Sequence, residues 1–236
     1  AEKISYTREF KQTTKKNVSR GWEGICLPFD VQTFTHESHG VIAPFGNSAS
    51  NYHFWLHQFT EEGISDAETI EANKPYIISM PNSDEYSDEF NQAGIIQFAS
   101  VNVTVPVTET MSVMIGDTLF VIPTFQEVEA FNHVYALNIG EDVDNYVEGS
   151  VFLRNYRNIR PFEVFTFHEP RYNEGAGTRA ISLSSLYGGS GTTGMGIVTT
   201  DSANDVWYDL SGRRLQGKPT KSGLYINNGK KVVVGN

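Results

Sequence analysis

Two histidines four residues apart, His53 and His57, are the first residues whose spacing suggests chemistry. On a helix they would share a face and could hold one metal ion. The surrounding Tyr52-His53-Phe54-Trp55-Leu56-His57-Gln58-Phe59 reads instead as a strand. Strand residues four apart share a face but lie about 13 Å from each other, too far to share a ligand. No Glu occupies the position that the H-E-x-x-H arrangement requires. His36 and His39, in a loop bounded by Gly40, form a second pair without ligand spacing. Both pairs are expected to be structural or exposed.

Two acidic clusters invite a calcium or general-acid reading: Asp84, Glu85, Asp88 and Glu89, then Glu141, Asp142, Asp144 and Glu148. The second departs from an EF-hand, because Tyr146 stands at the third ligand position and no Gly follows it. Solvated acidic loops are the expectation for both, since like-charge runs face water. Gly189, Gly191 and Gly194 spell a G-x-G-x-x-G, with Asp209 at a dinucleotide-like distance. That fingerprint works only where a helix opens at the last glycine, and Met195-Gly196-Ile197-Val198-Thr199-Thr200 does not favour helix. The single cysteine, Cys26, lies in the apolar Ile25-Cys26-Leu27-Pro28-Phe29 without an adjacent positive charge. It is expected to be a buried, inert thiol, and one cysteine excludes an intrachain disulfide. No nucleophile elbow, Cys–His signature or phosphate loop appears. No residue is therefore assigned a catalytic, cofactor-binding or metal-binding role, no cofactor is expected, and the chain is read as no enzyme.

Aromatic residues are the remaining resource: Trp22, Trp55, Trp207, 11 Tyr and 15 Phe. A β-fold exposing a few of them could bind sugar faces, although most aromatics at this density pack in cores. The chain has 236 residues and a net charge of −10 at neutral pH, with a pI near 5.0. Such an acidic balance argues against nucleic acid or anionic lipid as the principal partner. No apolar run approaches the roughly 18–20 residues of a membrane-spanning helix.

The elements that must position these residues are strands almost throughout. Residues 101–105 alternate apolar and polar, as a half-buried antiparallel strand does. Residues 118–122 are continuously apolar up to Pro123, as a strand buried on both faces would be. Further short β-branched or aromatic runs fall at 24–29, 52–59, 75–79, 95–99, 134–139, 150–153 and 162–167. The best helix candidate is Ser65-Asp66-Ala67-Glu68, a capping-box match that meets Pro75 within about two turns. Many short strands without βαβ alternation predict an all-β protein, an antiparallel β-sandwich.

Composition changes after Tyr187. Residues 188–205 are rich in Gly, Ser and Thr and read as a linker between a sandwich module, 1–187, and a small β unit, 206–236. In that unit Asn228-Gly229 separates two β runs, the strongest short-range hairpin signal, because a type I′ turn needs positive φ at both positions. The hairpin is expected to recruit 206–210 as a third strand or to dock on the sandwich, since two strands alone are marginal. The chain opens Ala1-Glu2-Lys3-Ile4 without an initiator Met or an apolar leader, as expected of a chain trimmed of a signal peptide or of one that begins downstream of it.

Two sets of residues carry a resemblance. Trp22-Glu23-Gly24-Ile25-Cys26-Leu27-Pro28-Phe29-Asp30-Val31, Ile70-Glu71-Ala72-Asn73-Lys74-Pro75-Tyr76-Ile77-Ile78 and Ile159-Arg160-Pro161-Phe162-Glu163-Val164-Phe165 resemble landmarks of β-rich modules in secreted and surface proteins of Bacteroidetes. Trp207-Tyr208-Asp209-Leu210-Ser211-Gly212-Arg213-Arg214, Gly223-Leu224-Tyr225-Ile226 and Lys230–Val234 resemble the end of type IX secretion sorting domains, of which about three strands' worth is visible. The resemblance implies a secreted, outer-surface or periplasmic location in a Gram-negative bacterium and assigns no catalytic residue. The expected function is non-catalytic adhesion, display or protein–protein contact with a protein or glycan at the cell surface. The alternative is a carbohydrate-binding or glycan-active protein using exposed aromatics, with Trp55 as first candidate, and the acidic loops.

Overall fold

The computed structural model describes residues 1–11, 14, 21–82, 91–106, 109–116, 119–140, 143, 146–168, 179–187, 207–208, 214–215, 219, 223–227 and 230–234. The chain divides into two compact units, Ala1–Thr199 and Thr200–Asn236. Among the described residues there is no α-helix, and the protein is all-β.

The first unit holds two curled sheets. Sheet one is built from β1 (Lys3–Phe10), β2 (Glu23–Ile25), β3 (Thr33–His36), β4 (Gly40–Pro44), β5 (His53–Thr60), β6 (Gly63–Asp66), β7 (Tyr76–Ser79) and β8 (Gly94–Val101). Its order is β1-β8-β3-β4-β5-β7-β2, with β6 paired to β5. Neighbours are antiparallel except β4 and β5, which run parallel with Ala43 opposite His53 and Pro44 opposite Phe54. Sheet two comprises β9 (Val113–Ile115), β10 (Leu119–Thr124), β11 (Val134–Leu137), β12 (Val151–Arg154), β13 (Glu163–His168) and β14 (Ala180–Ser182), in the order β14-β12-β11-β13-β10-β9. A short 3-10 turn, Leu183–Leu186, follows β14.

Side-chain alternation explains how these layers pack. Along β5, Phe54 and Leu56 enter one core with Phe34, Ile42, Ile96 and Phe98, inside the curl of sheet one. Phe59 faces the other way, with Ile77, into a second core shared with Leu119, Val121, Leu137 and Phe152 of sheet two. The run Tyr76-Ile77-Ile78 of β7 is apolar throughout because both of its faces are covered. Each fully buried aromatic or aliphatic side chain contributes about 1.5–3 kcal/mol relative to exposure. The sheets approach closely at Gly24 on β2, where an added Cβ would lie 2.8 Å from the backbone nitrogen of Val164 on β13. Glycine is required there by contact rather than by φ.

Three local expectations differ from the structure. Ser65 and Asp66 lie in β6, not in a helix: Asp66 is registered with His57, and Ala67 N donates to Leu56 O at 3.0 Å. Pairing to a buried neighbour outweighs a four-residue capping signal. The strand expected over 101–105 ends at Val101, because Asn102 takes a φ of 53°. Asn tolerates that left-handed conformation, and Asn102 N and Val103 N then donate to Glu2 O and Ala1 O. Pro123 lies inside β10 opposite Val164, and β10 alternates, with Leu119 and Val121 fully buried while Phe120 and Ile122 are half-buried.

The second unit is a four-stranded sheet of β15 (Trp207–Tyr208), β16 (Arg214–Leu215), β17 (Gly223–Asn227) and β18 (Lys230–Val234), in the order β16-β15-β17-β18. Asn227 pairs with Lys230 across the β17–β18 hairpin, and Trp207 pairs with Asn227. The connecting Asn228 and Gly229, the stretch 188–205, the acidic cluster at 84–89 and the glycines of the G-x-G-x-x-G lie outside the described residues.

Candidate functional site

Four of the six histidines sit on or beside β3, β4 and β5, and two aromatic stacks form there. The first stack begins where β4 ends. Phe45 N donates to Phe54 O at 2.9 Å, extending the parallel register by one step. Its ring stacks on His53, centroids 5.3 Å apart at 27°, and meets Trp55 at a tilt, 5.5 Å apart at 35°. His53 and Trp55 are two apart on one strand and therefore share a face. Trp55 is half-buried and packs against the second core, whereas Phe45 remains 44% exposed. His53 Nδ1 is buried and has no hydrogen-bond partner.

The loop after Phe45 is held by its own side chains. Gly46 has a φ of 96°, which only glycine adopts without strain, and Asn47 N donates back to Pro44 O at 3.0 Å. Asn47 Oδ1 accepts from Ala49 N at 2.9 Å. Ser50 Oγ donates to Val41 O at 2.6 Å and accepts from Tyr52 N at 3.0 Å. The carboxylate of exposed Glu68 stands beside Gly46, where an added Cβ would lie 3.6 Å from Oε1. Asn and Ser side chains that bond neighbouring backbone groups fix turns in this way.

The second stack is His36, His39 and Tyr52, with centroid separations of 4.5 and 4.6 Å and nearly parallel planes. His36 is buried, and its Nδ1 accepts from both Ser38 N and His39 N. Its Nε2 therefore carries the proton and donates to Ala93 O at 3.0 Å. His39 Nδ1 donates to Gln92 Oε1 at 3.1 Å. These rings fasten the β3–β4 turn to the start of β8.

The remaining residues singled out by type serve the fold. His57 is buried against Trp22, edge to face at 4.6 Å, and its Nδ1 lies 3.4 Å from Asp66 Oδ1. His53 and His57 thus occupy one strand in separate environments. Cys26 is fully buried, and burial pushes its thiol up from 9.0 to about 12, so it holds no thiolate at neutral pH. Glu148 is buried rather than solvated, and the other members of its cluster lie outside the described residues. Among the described residues no three His, Cys, Asp or Glu side chains come together as a metal would require.

Sequence reasoning named Trp55 and missed Phe45, whose position depends on a parallel pairing that no local pattern announces. The Phe45-Gly46-Asn47-Ser48 run, a turn signal directly after a strand, was the available clue. No protein family, no curated protein and no solved structure matches this chain.

Proposed function

We propose that this chain is a non-catalytic contact module of a secreted or envelope protein, used for adhesion, display or protein–protein contact. The observation that carries the reading is Phe45, an exposed aromatic ring braced by His53 and Trp55 on a loop tied by its own hydrogen bonds. Exposed aromatics on rigid supports are what contact surfaces use, because ordering them costs little entropy. The resemblance to Bacteroidetes surface modules and to sorting-domain tails supports an extracellular or outer-surface location. Reactive side chains that are committed to packing, Cys26 above all, agree with a role in binding rather than bond making.

A panel of glycosides and peptides incubated with the intact chain should show no turnover. Reproducible turnover abolished by one carboxylate substitution would overturn the reading. A carbohydrate-binding module is the second reading, and the small area of the Phe45 platform favours it.

A further inference from the structure

We infer that the exposed face of Phe45 is a subsite for one uncharged pyranose ring of a glycan, a step that rests on the reading of this chain as a contact module. Size is the first argument. A phenylalanine side chain presents about 150–250 Å² when free, and Phe45 is 44% exposed, which leaves on the order of 100 Å² of ring to cover. A protein interface covers about 800 Å² on each side, of which this ring would be a small part. Val41, the exposed apolar residue of β4, lies four residues before Phe45, with buried Ala43 between them. One sugar ring matches the area available.

Chemistry is the second argument. The π-face of an aromatic ring carries partial negative charge and attracts the C–H groups on the apolar side of a pyranose. Those C–H groups are ringed by hydroxyls that must find partners at the edge of the platform. Asn47 and Ser48 follow Phe45 in the same turn, and the exposed Glu68 carboxylate stands beside Gly46. Amide, hydroxyl and carboxylate together offer both donors and acceptors, the set that a polyhydroxylated ligand uses. Bracing by His53 and Trp55 fixes the ring before the ligand arrives, which lowers the entropy cost of binding.

Charge is the third argument and selects among glycans. The chain carries −10 overall and Glu68 stands beside Gly46, the residue after Phe45, so carboxylated or sulfated sugars are repelled. Uncharged hexosides are not.

The test is titration of the intact, ¹⁵N-labelled chain with neutral tetrasaccharides of glucose and mannose in several linkages, and with tetragalacturonate as the acidic counterpart. At least one neutral tetrasaccharide should bind saturably and shift the amides of Phe45 and Gly46. Phe45→Ala should weaken that binding about tenfold or more, equivalent to about 1.4 kcal/mol, with an unchanged thermal midpoint. Val41→Ala should bind as the parent does, and tetragalacturonate should bind more weakly than its neutral counterparts. Phe45→Ala is the better probe than Trp55→Ala, because Trp55 also packs against the core. Absence of binding by every neutral tetrasaccharide, binding untouched by Phe45→Ala, or preference for tetragalacturonate would each overturn the inference. Failure here leaves the contact module standing, since that reading falls only to catalytic turnover.

Discussion

Arg8 on β1 donates from Nη1 to the carbonyl oxygen of Gly24 on β2 at 2.8 Å, so a side chain joins the two edge strands of sheet one. Its Nη2 reaches Phe162 O at 3.1 Å, at the turn leading into β13. Tyr6 and Phe10 flank the guanidinium, whose carbon lies 5.6 and 5.8 Å from their ring centroids. The Glu23 carboxylate is more distant, at 3.9 Å. Arg8 therefore closes the curl through backbone carbonyls, with Glu23 as a weaker neighbour.

Replacing Arg8 with Met should cost about 2–4 kcal/mol, because two carbonyls lose charged donors in a part-buried site. Arg8→Lys should recover only part of this, since a single ammonium cannot span both carbonyls as the planar fork does. Urea denaturation measures both. A Met variant within about 0.5 kcal/mol of the parent would show that the clasp carries no stability.

Thr166, in the middle of β13, is fully buried and its hydroxyl has no hydrogen-bond partner. Desolvating a hydroxyl without compensation costs about 1–3 kcal/mol, so Thr166→Val should stabilise the fold by up to about 1–2 kcal/mol. A rise in the thermal midpoint is the expected result, and a fall would mean that the hydroxyl is satisfied in solution.

Alkaline stability follows from Cys26 and Tyr76. Burial raises Cys26 from 9.0 to about 12 and Tyr76 from 10.0 to about 12. Both folded values exceed the unfolded ones, so the unfolded chain releases these protons first. The stabilisation is complete below about pH 9 and is lost progressively as pH rises toward 12. Urea midpoints at pH 8, 9.5 and 11 should fall in that order, and Cys26→Ala should flatten the decline. The native thiol should also resist a thiol reagent at pH 8 until the chain is unfolded.

His36 offers a spectroscopic check on the β3–β4 turn. With Nδ1 accepting from two backbone amides, the ring must be the Nε2–H tautomer. Long-range ¹H–¹⁵N correlation at neutral pH should show that pattern for His36, and an Nδ1–H ring would contradict the turn geometry.

Much of the fold was legible because its strands carry their own pattern. The 52–59 run holds Phe54 and Leu56 for one core and Phe59 for the other, and its β-rich composition marked it as strand. What stayed hidden depended on distant partners. β1 alternates Lys3, Ser5, Thr7 and Glu9 outward with Ile4, Tyr6, Arg8 and Phe10 inward, but this polar strand gains its place through eight pairs with β8. Asp66 matched a helix start until pairing with His57 decided otherwise. The Phe45 platform was least legible. It exists only because Ala43 and Pro44 pair in parallel with His53 and Phe54, and the turn signal after Pro44 does not reveal that direction.

The same parallel step has a mechanical consequence. β1 and β8 share eight residue pairs, β5 and β7 share four, and β4 and β5 share two. Parallel strands ordinarily need a crossover of a dozen or more residues. Here the end of β4 overlaps only the start of β5, so the chain sidesteps one lane and continues in the same direction. Tension applied to the chain is transmitted across such lanes. The β4–β5 seam, with the shortest overlap in sheet one, should yield first and open the sheet there, while Arg8 still ties β1 to β2. In single-molecule pulling that rupture precedes loss of the β1–β8 pairing, and the braced ring of Phe45, seated on the seam, parts from His53 and Trp55 at the same moment.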